Sequence, residues 1–475
     1  MIAPQALPPN ERDRIGGEMH RLITDLYPLC RSITGSGVRD SLRQLERHMP
    51  LTMHEVPSGT PVFDWTVPSE WNIRDAYIKN AAGQRIVDFR HSNLHVMSYS
   101  VPVHRTMSLE ELKPHLHTLP AHPDWIPYRT SYYREDWGFC LSHRQFGALA
   151  EDHYEVCIDA TLAPGHLTYG ECYLPGVSAA EILISTHVCH PSLCNDNLSG
   201  IAVATYLAKE LHARPRRYSY RFLFIPGTIG AITWLALHER DVAQIRHGLV
   251  LSCLGDAGQL NYKRSRRGDA EIDRAVRHVL EHSGQPHTLE DFSPYGYDER
   301  QFCSPGFDLP VGRLSRTPHG RFPEYHTSAD DLALVRPAAL ADSFTTCLNV
   351  LALVEDNRTY VNQQPKCEPQ LGKRGLYRMT GGHQDERAEE RAILWVLNLS
   401  DGRHTLLDVA ERSGVPFAEL HRAADLLVAH DLLREAPASP PSPRDEGVGH
   451  WSQGIHRVGA RADAAGRGPR RRWTG

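Results

Sequence analysis

An α/β fold built on a mostly parallel sheet, with an inserted β-rich module and a small C-terminal winged-helix-like module, is what the sequence predicts, and three observations predict it. From about Tyr169 onward, short apolar runs of strand length alternate with segments of helical periodicity. Between residues 51 and 161 the pattern changes to short β-rich runs broken by Pro, Gly and Asn. After residue 385 a series of short helical patterns follows, separated by Gly402 and Gly414. A chain of 475 residues exceeds what one hydrophobic core encloses, so several compact units are expected.

Taken in order, the segment from about Glu11 to Tyr27 places Met19, Leu22, Ile23 and Leu26 at helical spacing, and a second helical pattern runs from Ser36 through Leu42 and Leu45. The inserted module interleaves aromatics (Trp65, Trp71, Tyr77, Tyr128, Tyr133) with polar residues. Glu181 to Thr186 is then a continuous apolar run, followed by a polar loop and a helical pattern from Leu198 to Leu211. Tyr220 to Ile225, Gly248 to Leu254 and Leu309 to Leu314 repeat the strand pattern, with helices Gly230 to His238 and Ala270 to His282 among them. Residues 11–50 and 162–360 therefore form one discontinuous α/β domain around the insert 51–161. Residues 385–435, with helices at Glu389 to Leu397, Thr405 to Ser413 and Phe417 to His430, form the winged-helix-like module. Residues 436–475 are rich in Pro, Gly, Ala and Arg, and disorder is expected there.

Composition excludes several function classes. Hydrophobic residues make up 41% and charged residues 23%, as in ordinary globular proteins, and no stretch approaches the roughly 18 consecutive apolar residues of a membrane span. The first residues lack a basic segment followed by an apolar one, so cytoplasmic residence is expected. Ten cysteines without a CxxC pair read as reduced thiols, most of them small core residues. A net charge of -5 argues against a nucleic-acid binder driven by overall charge. The last helical pattern carries Glu419, Asp425 and only Arg422, where a helix facing phosphates would be basic, so packing or protein contact is expected rather than DNA binding. The Arg470, Arg471, Arg472 run sits in the solvated tail, and assembly into a homo-oligomer is compatible with the composition.

Open parallel sheets bind ligands beyond the carboxyl ends of their strands, so the residues there carry the chemistry. His187 follows an apolar strand in STHVCHPSLCNDNLSG, and Asp196 sits at the start of the next helix, where the helix dipole keeps a carboxylate ionised. Asp256 follows the strand ending at Leu254, and His326 follows the strand ending at Leu314. Imidazole and carboxylate together suit zinc, with cobalt or manganese as alternatives. Asp330 and Asp331 are placed to orient His326. Other readings stand beside these: His190 competes with His187, Asp196 can cap its helix, Asp256 can be a turn residue, and Cys189, Cys194 and Cys253 are near enough to be considered as thiolates. Tyr295, Tyr297 and Arg300 either line a substrate pocket or pack. Gly200 lets its helix approach the sheet.

HVCHPSLCNDNLSG resembles the His and bridging-Asp motifs of co-catalytic zinc aminopeptidases, and CLGDAG and PEYHTSADD resemble that family's later Asp and His ligands in the same order. PLCRSITGSG, SYRFLFIPGTIGAITWL and YDERQFCSPG are similar to a bacterial group of aminopeptidase-like proteins with an extra domain near the N-terminus and a C-terminal winged helix. The resemblance covers roughly residues 15 to 435. It implies an amide hydrolase for peptides or peptide-like small molecules, using one or two zinc ions. One ion would be held by His187, Asp196 and Asp256, and the other would keep only Asp196 and His326. The family's Glu-Glu pair is not matched, because Gly227 stands where its carboxylate is expected and the next acid is Glu239. Glu324, Asp298 or Glu299 would then have to activate water, with Glu324 assigned as the base and Tyr297, Asp298 and Arg300 assigned to the substrate. The unmatched pair also supports a second reading, a metal-binding scaffold that has lost catalysis, and a transcription regulator on a peptidase-like sensor is a third.

Overall fold

The computed structural model of the protein describes residues 8–376 and 384–437. Residues 438–475 of the expected disordered tail, Arg470 to Arg472 included, lie outside the described residues.

An eight-stranded sheet forms the centre, in spatial order Thr52–Pro57, His166–Leu174, Ser219–Ile225, Glu181–His187, Ile245–Leu251, Val311–Ser315, Leu260–Lys263 and His287–Glu290. Its middle four strands run parallel. Antiparallel strands extend it on both sides. Glu181–His187 is buried along its whole length, as a strand covered on both faces must be. Its side chains alternate between two cores. Ile182 and Ile184 meet helices Pro9–Leu26, Gly200–His212, Glu271–Glu281 and Pro337–Asp356, whereas Leu183 joins helix Ile229–Leu237 and the inserted module. Pro337–Asp356 is the one described helix long and apolar enough to cross a membrane, but 72% of its most apolar window is buried inside the protein. Its neighbours are Pro9–Leu26 and Glu271–Glu281.

The inserted module is a four-stranded antiparallel sheet in the order Arg85–Asp88, Glu70–Lys79, His153–Ala163, Val103–Ser108. Thr52–Pro57, which the composition assigns to the insert, instead pairs with His166–Leu174 in the central sheet. A change of local pattern marks where residue types shift, and sheet membership is decided by pairing with residues more than a hundred positions away.

At the C-terminal end, strands Asp401–Thr405, Thr359–Asn362 and Leu433–Glu435 form a small sheet beside helices Gln384–Leu399, Leu406–Ser413 and Phe417–Ala429. Thr405 caps its helix in a reciprocal box with Asp408, and Gly414 ends it at φ 67°. The strand Thr359–Asn362 belongs to this sheet although the sequence reading leaves it outside 385–435, because four residues carry no usable periodicity. Helix Phe417–Ala429 buries Phe417, Leu420, Ala423, Ala424 and Leu427 and packs on Gln384–Leu399.

Candidate metal centre

His187 is the last residue of the innermost strand and is 2% exposed. After it the chain turns through Ser192, at φ 42°, into the segment Cys194–Ser199, where Asp196 (φ -109°, ψ 82°) and Asn197 leave helical geometry. Asp196 therefore caps no helix: the helix Gly200–His212 has no side-chain cap bond. A Cβ on Gly200 would stand 2.6 Å from the Leu251 carbonyl oxygen, so only glycine lets this helix meet the sheet so closely.

Three imidazoles converge on the carboxylate of Asp196, which is 0% exposed. His187 Nε2 lies 2.9 Å from Oδ1, His326 Nε2 lies 3.0 Å from Oδ2, and His190 Nε2 lies 3.8 Å from Oδ2. His187, His190 and Asp196 offer ligand atoms all within 4.8 Å of one another. Donors about 2.0–2.1 Å from one tetrahedral ion stand roughly 3.3–3.4 Å apart. The carboxylate-to-imidazole separations, 2.9 to 3.8 Å, bracket that value, so His187, His190 and Asp196 fit a metal ion. The hydroxyl of Tyr297 donates to Asp196 Oδ1 at 3.2 Å, and the ring stacks on His187 at 4.9 Å.

Electrostatics follow from this packing. Burial alone would raise Asp196, but the imidazoles of His190, His187 and His326 outweigh it and hold the carboxyl well below its usual range. Burial pushes His190 down to about 3 despite the opposing charge of Asp196. Burial also raises Asp298 to about 6, against the field of His187 and the amide of Thr228. The thiol of Cys189 is likewise pushed up to about 12, which keeps it protonated and unsuited to nucleophilic attack.

The structure does not bring every expected residue to this cluster. Asp256 turns away: its oxygens accept from Asn195 Nδ2 (2.9 Å), Thr317 Oγ1 (2.7 Å) and the Gly258 amide (2.6 Å). Between it and strand Ile245–Leu251 the chain passes through Cys253, at φ 50°. Cys253 itself is then the residue beside the ligands, with Sγ 3.9 Å from Asp196 Oδ1 and 3.2 Å from the Tyr297 hydroxyl. Asp330 and Asp331 do not orient His326. Asp330 accepts the backbone amides of Asn195 and Asp196, and Asp331 accepts those of Ala333 and Leu334. His326, at φ 57°, is flanked by aromatic rings instead, stacked on Tyr325 at 3.9 Å and edge-on to Tyr128 at 5.1 Å.

A cavity of about 630 Å³ opens over the three imidazoles. Tyr297, Asp298 and Arg300, the residues expected at the substrate, line this cavity. Their loop is anchored by the buried pair of Lys263 and Glu299, 2.9 Å apart, with Lys263 Nζ also donating to the Tyr295 carbonyl at 2.8 Å. Glu299 is thereby held through Oε1 and lies outside the cavity wall, and so does Glu324. Asp298 accepts the Thr228 amide at 2.6 Å, next to Gly227, and lines the same cavity. The opposite wall comes from the inserted module through Trp65, Tyr128, Arg129 and Tyr133. No local pattern marks those residues as site residues, since only tertiary packing carries them to the rim.

The fold is one shared with a zinc aminopeptidase, and the cluster is a candidate metal-binding centre. The chain belongs to the family described as a domain of unknown function, DUF4910, whose model matches residues 20–357, and a winged helix-turn-helix model matches residues 358–435. It is 56% identical over 419 residues to a Clostridium acetobutylicum protein described as "Putative polysaccharide biosynthesis protein with aminopeptidase-like domain", covering 88% of this chain and 96% of that protein. A crystal structure of a "putative peptidase" from Clostridium acetobutylicum superposes with a TM-score of 0.86 at 53% identity, over 90% of this chain and 98% of that one. A zinc aminopeptidase from Bacillus subtilis shares the fold, with a TM-score of 0.54 at 13% identity, over 74% of this chain and 96% of that one.

Proposed function

We propose that this chain is a metal-dependent hydrolase of amide bonds, acting on a peptide or a peptide-like small molecule. One observation carries the reading: a fully buried carboxylate, Asp196, is faced by three imidazoles and by no Lys or Arg side chain among its hydrogen-bond partners. Such an arrangement is costly unless a cation completes it. His187, His190 and Asp196 would hold the ion, with His326, on the Oδ2 side of the carboxylate, as a fourth donor. When bound, a zinc-type ion supplies Lewis-acid chemistry at this donor set.

The remaining work falls to the chain's own residues. Asp298, on the cavity wall with a carboxyl raised to about 6, accepts the proton of the attacking water and returns it to the leaving amine. Tyr297, which donates to Asp196 Oδ1, fixes the carboxylate's orientation. Tyr128 and Tyr325 flank His326 and limit access of bulk water to the floor of the cavity. The description of the Clostridium acetobutylicum relative joins an aminopeptidase-like domain to polysaccharide biosynthesis, which supports a sugar-linked amide as one form of substrate.

A second reading, a metal-binding scaffold without catalysis, is favoured by Gly227 at the position where the zinc aminopeptidases carry glutamate. Turnover of a panel of aminoacyl p-nitroanilides and N-acyl amino acids, lost with a chelator and restored by zinc, is expected for the hydrolase. Bound metal with no turnover across the panel would select the scaffold.

A further inference from the structure

We propose that the cavity over the candidate metal centre recognises an anionic group of its ligand, a carboxylate or a phosphate, through the guanidinium of Arg300, with Arg129 as a second cation. The proposal rests on reading this cavity as a substrate site and names the class of substrate it takes.

Arg300 stands on the cavity wall two positions after Asp298. Its Nε is shielded from solvent and has no hydrogen-bond partner. Arg31, Arg216 and Arg313 also have one shielded nitrogen without a partner, but their guanidinium groups are hydrogen-bonded through other nitrogens, whereas no hydrogen bond holds Arg300 among the described residues. Arg221 is held by Glu171 and Glu181, and Arg274 by Asp408 and Glu411. The Nε of Arg300 is thus a donor left unmet unless a ligand supplies the acceptor. Asp298, on the same cavity, accepts the Thr228 amide at Oδ1 and feels the charge of Arg300 without a hydrogen bond to it.

The charge balance of the cavity points the same way. Among its described lining residues Asp298 is the one carboxylate, while Arg129 and Arg300 carry fixed positive charge, and Arg129 is exposed on the facing wall. A bound cation would add to this excess. A substrate's free ammonium group would meet net repulsion here, whereas a carboxylate or phosphate matches the planar fork of a guanidinium. The substrate class that fits is therefore an amide whose amine carries an acyl group and whose body carries an anion. At the rim, Trp65 and Tyr133 pack edge to face at 5.4 Å, and they remain 43% and 52% exposed. They offer a platform for a flat ring or a sugar face on the ligand.

The test is direct binding to the full-length protein, with and without zinc, of two matched pairs: N-acetylphenylalanine against its methyl ester, and N-acetylglucosamine 1-phosphate against N-acetylglucosamine. The anionic member of at least one pair is expected to bind about 10-fold tighter or more, and Arg300→Gln is expected to reduce that preference below about 3-fold. Which pair responds separates carboxylate from phosphate. Arg129→Gln, at an exposed position, should lower the preference partially without affecting folding, and it carries the test should Arg300→Gln unfold. Equal binding within both pairs overturns the proposal, as does a preference that survives both substitutions, since the charge would then be read by the ion. Because binding is measured, absence of turnover counts only against the hydrolase reading.

Discussion

The carboxylate of Asp330 accepts the backbone amide of Asp196 at 2.9 Å, and its other oxygen accepts that of Asn195 at 2.5 Å. One short segment thus supplies a candidate donor, His326, and four positions later the brace that fixes the carboxylate opposite it. Asn at position 330 keeps one acceptor and turns a donor toward an amide. Asp330→Asn should weaken zinc binding by roughly 10- to 100-fold while leaving the circular dichroism spectrum intact, measured by competition with a chromophoric chelator.

Asp256 makes the opposite prediction. Its oxygens satisfy Asn195, Thr317 and the Gly258 amide in a buried setting, so Asp256→Ala orphans several donors at once. The expected outcome is a stability loss of about 1–3 kcal/mol in denaturant titration, with zinc content retained. Loss of the metal in a fully folded Asp256→Ala protein would restore this residue to the ligand set.

How much of this was legible in the sequence divides along a physical line. The central strands are continuous apolar runs covered on both faces, and the residues at their carboxyl ends, His187 above all, follow from that pattern. The place of Asp256 does not, because its carboxylate is taken up by Asn195, Thr317 and the Gly258 amide, partners that only the folded chain brings to it. Glu324 sits close to His326 in the chain yet outside the cavity, while Asp298 is drawn in by the Thr228 amide from a distant turn. The cavity wall built by Trp65, Arg129 and Tyr133 depends on how the insert docks, which no local periodicity encodes.

Gly227 offers a gain of function. A Cβ there would stand 3.4 Å from Cys189 Sγ and 3.6 Å from His187 Cβ, ordinary contact distances, and the position lies on the cavity. Gly227→Glu should therefore fold, raise the zinc bound per chain, and increase kcat/KM toward amide substrates by about 10²-fold if a missing carboxylate limits the reaction. Metal analysis and initial rates check the two effects separately.

The contact between the α/β domain and the winged helix should respond to acid. His278 Nε2 accepts the Phe417 amide at 3.0 Å, its ring stacks on His282 at 4.0 Å, and Arg277 and Glu411 are the charged neighbours. Burial, then His282, pushes His278 down to about 4, whereas the unfolded chain titrates near about 6.5. The neutral ring therefore contributes its full stability above about 6.5, and that contribution is lost as pH falls toward and through about 4, where the unfolded state binds the extra proton first. Melting temperature should drop between pH 7 and pH 5 by less in His278→Gln than in the natural protein.

The central claim is that three imidazoles surround Asp196 because a cation belongs among them. Metal analysis of the full-length protein beside Asp196→Asn, both verified as folded by circular dichroism, tests it most directly. At least one zinc-type ion per chain in the natural protein and almost none in the variant is the predicted result. A natural protein that takes up no ion from zinc, cobalt or manganese, or a variant that holds as much as the natural chain, would contradict it.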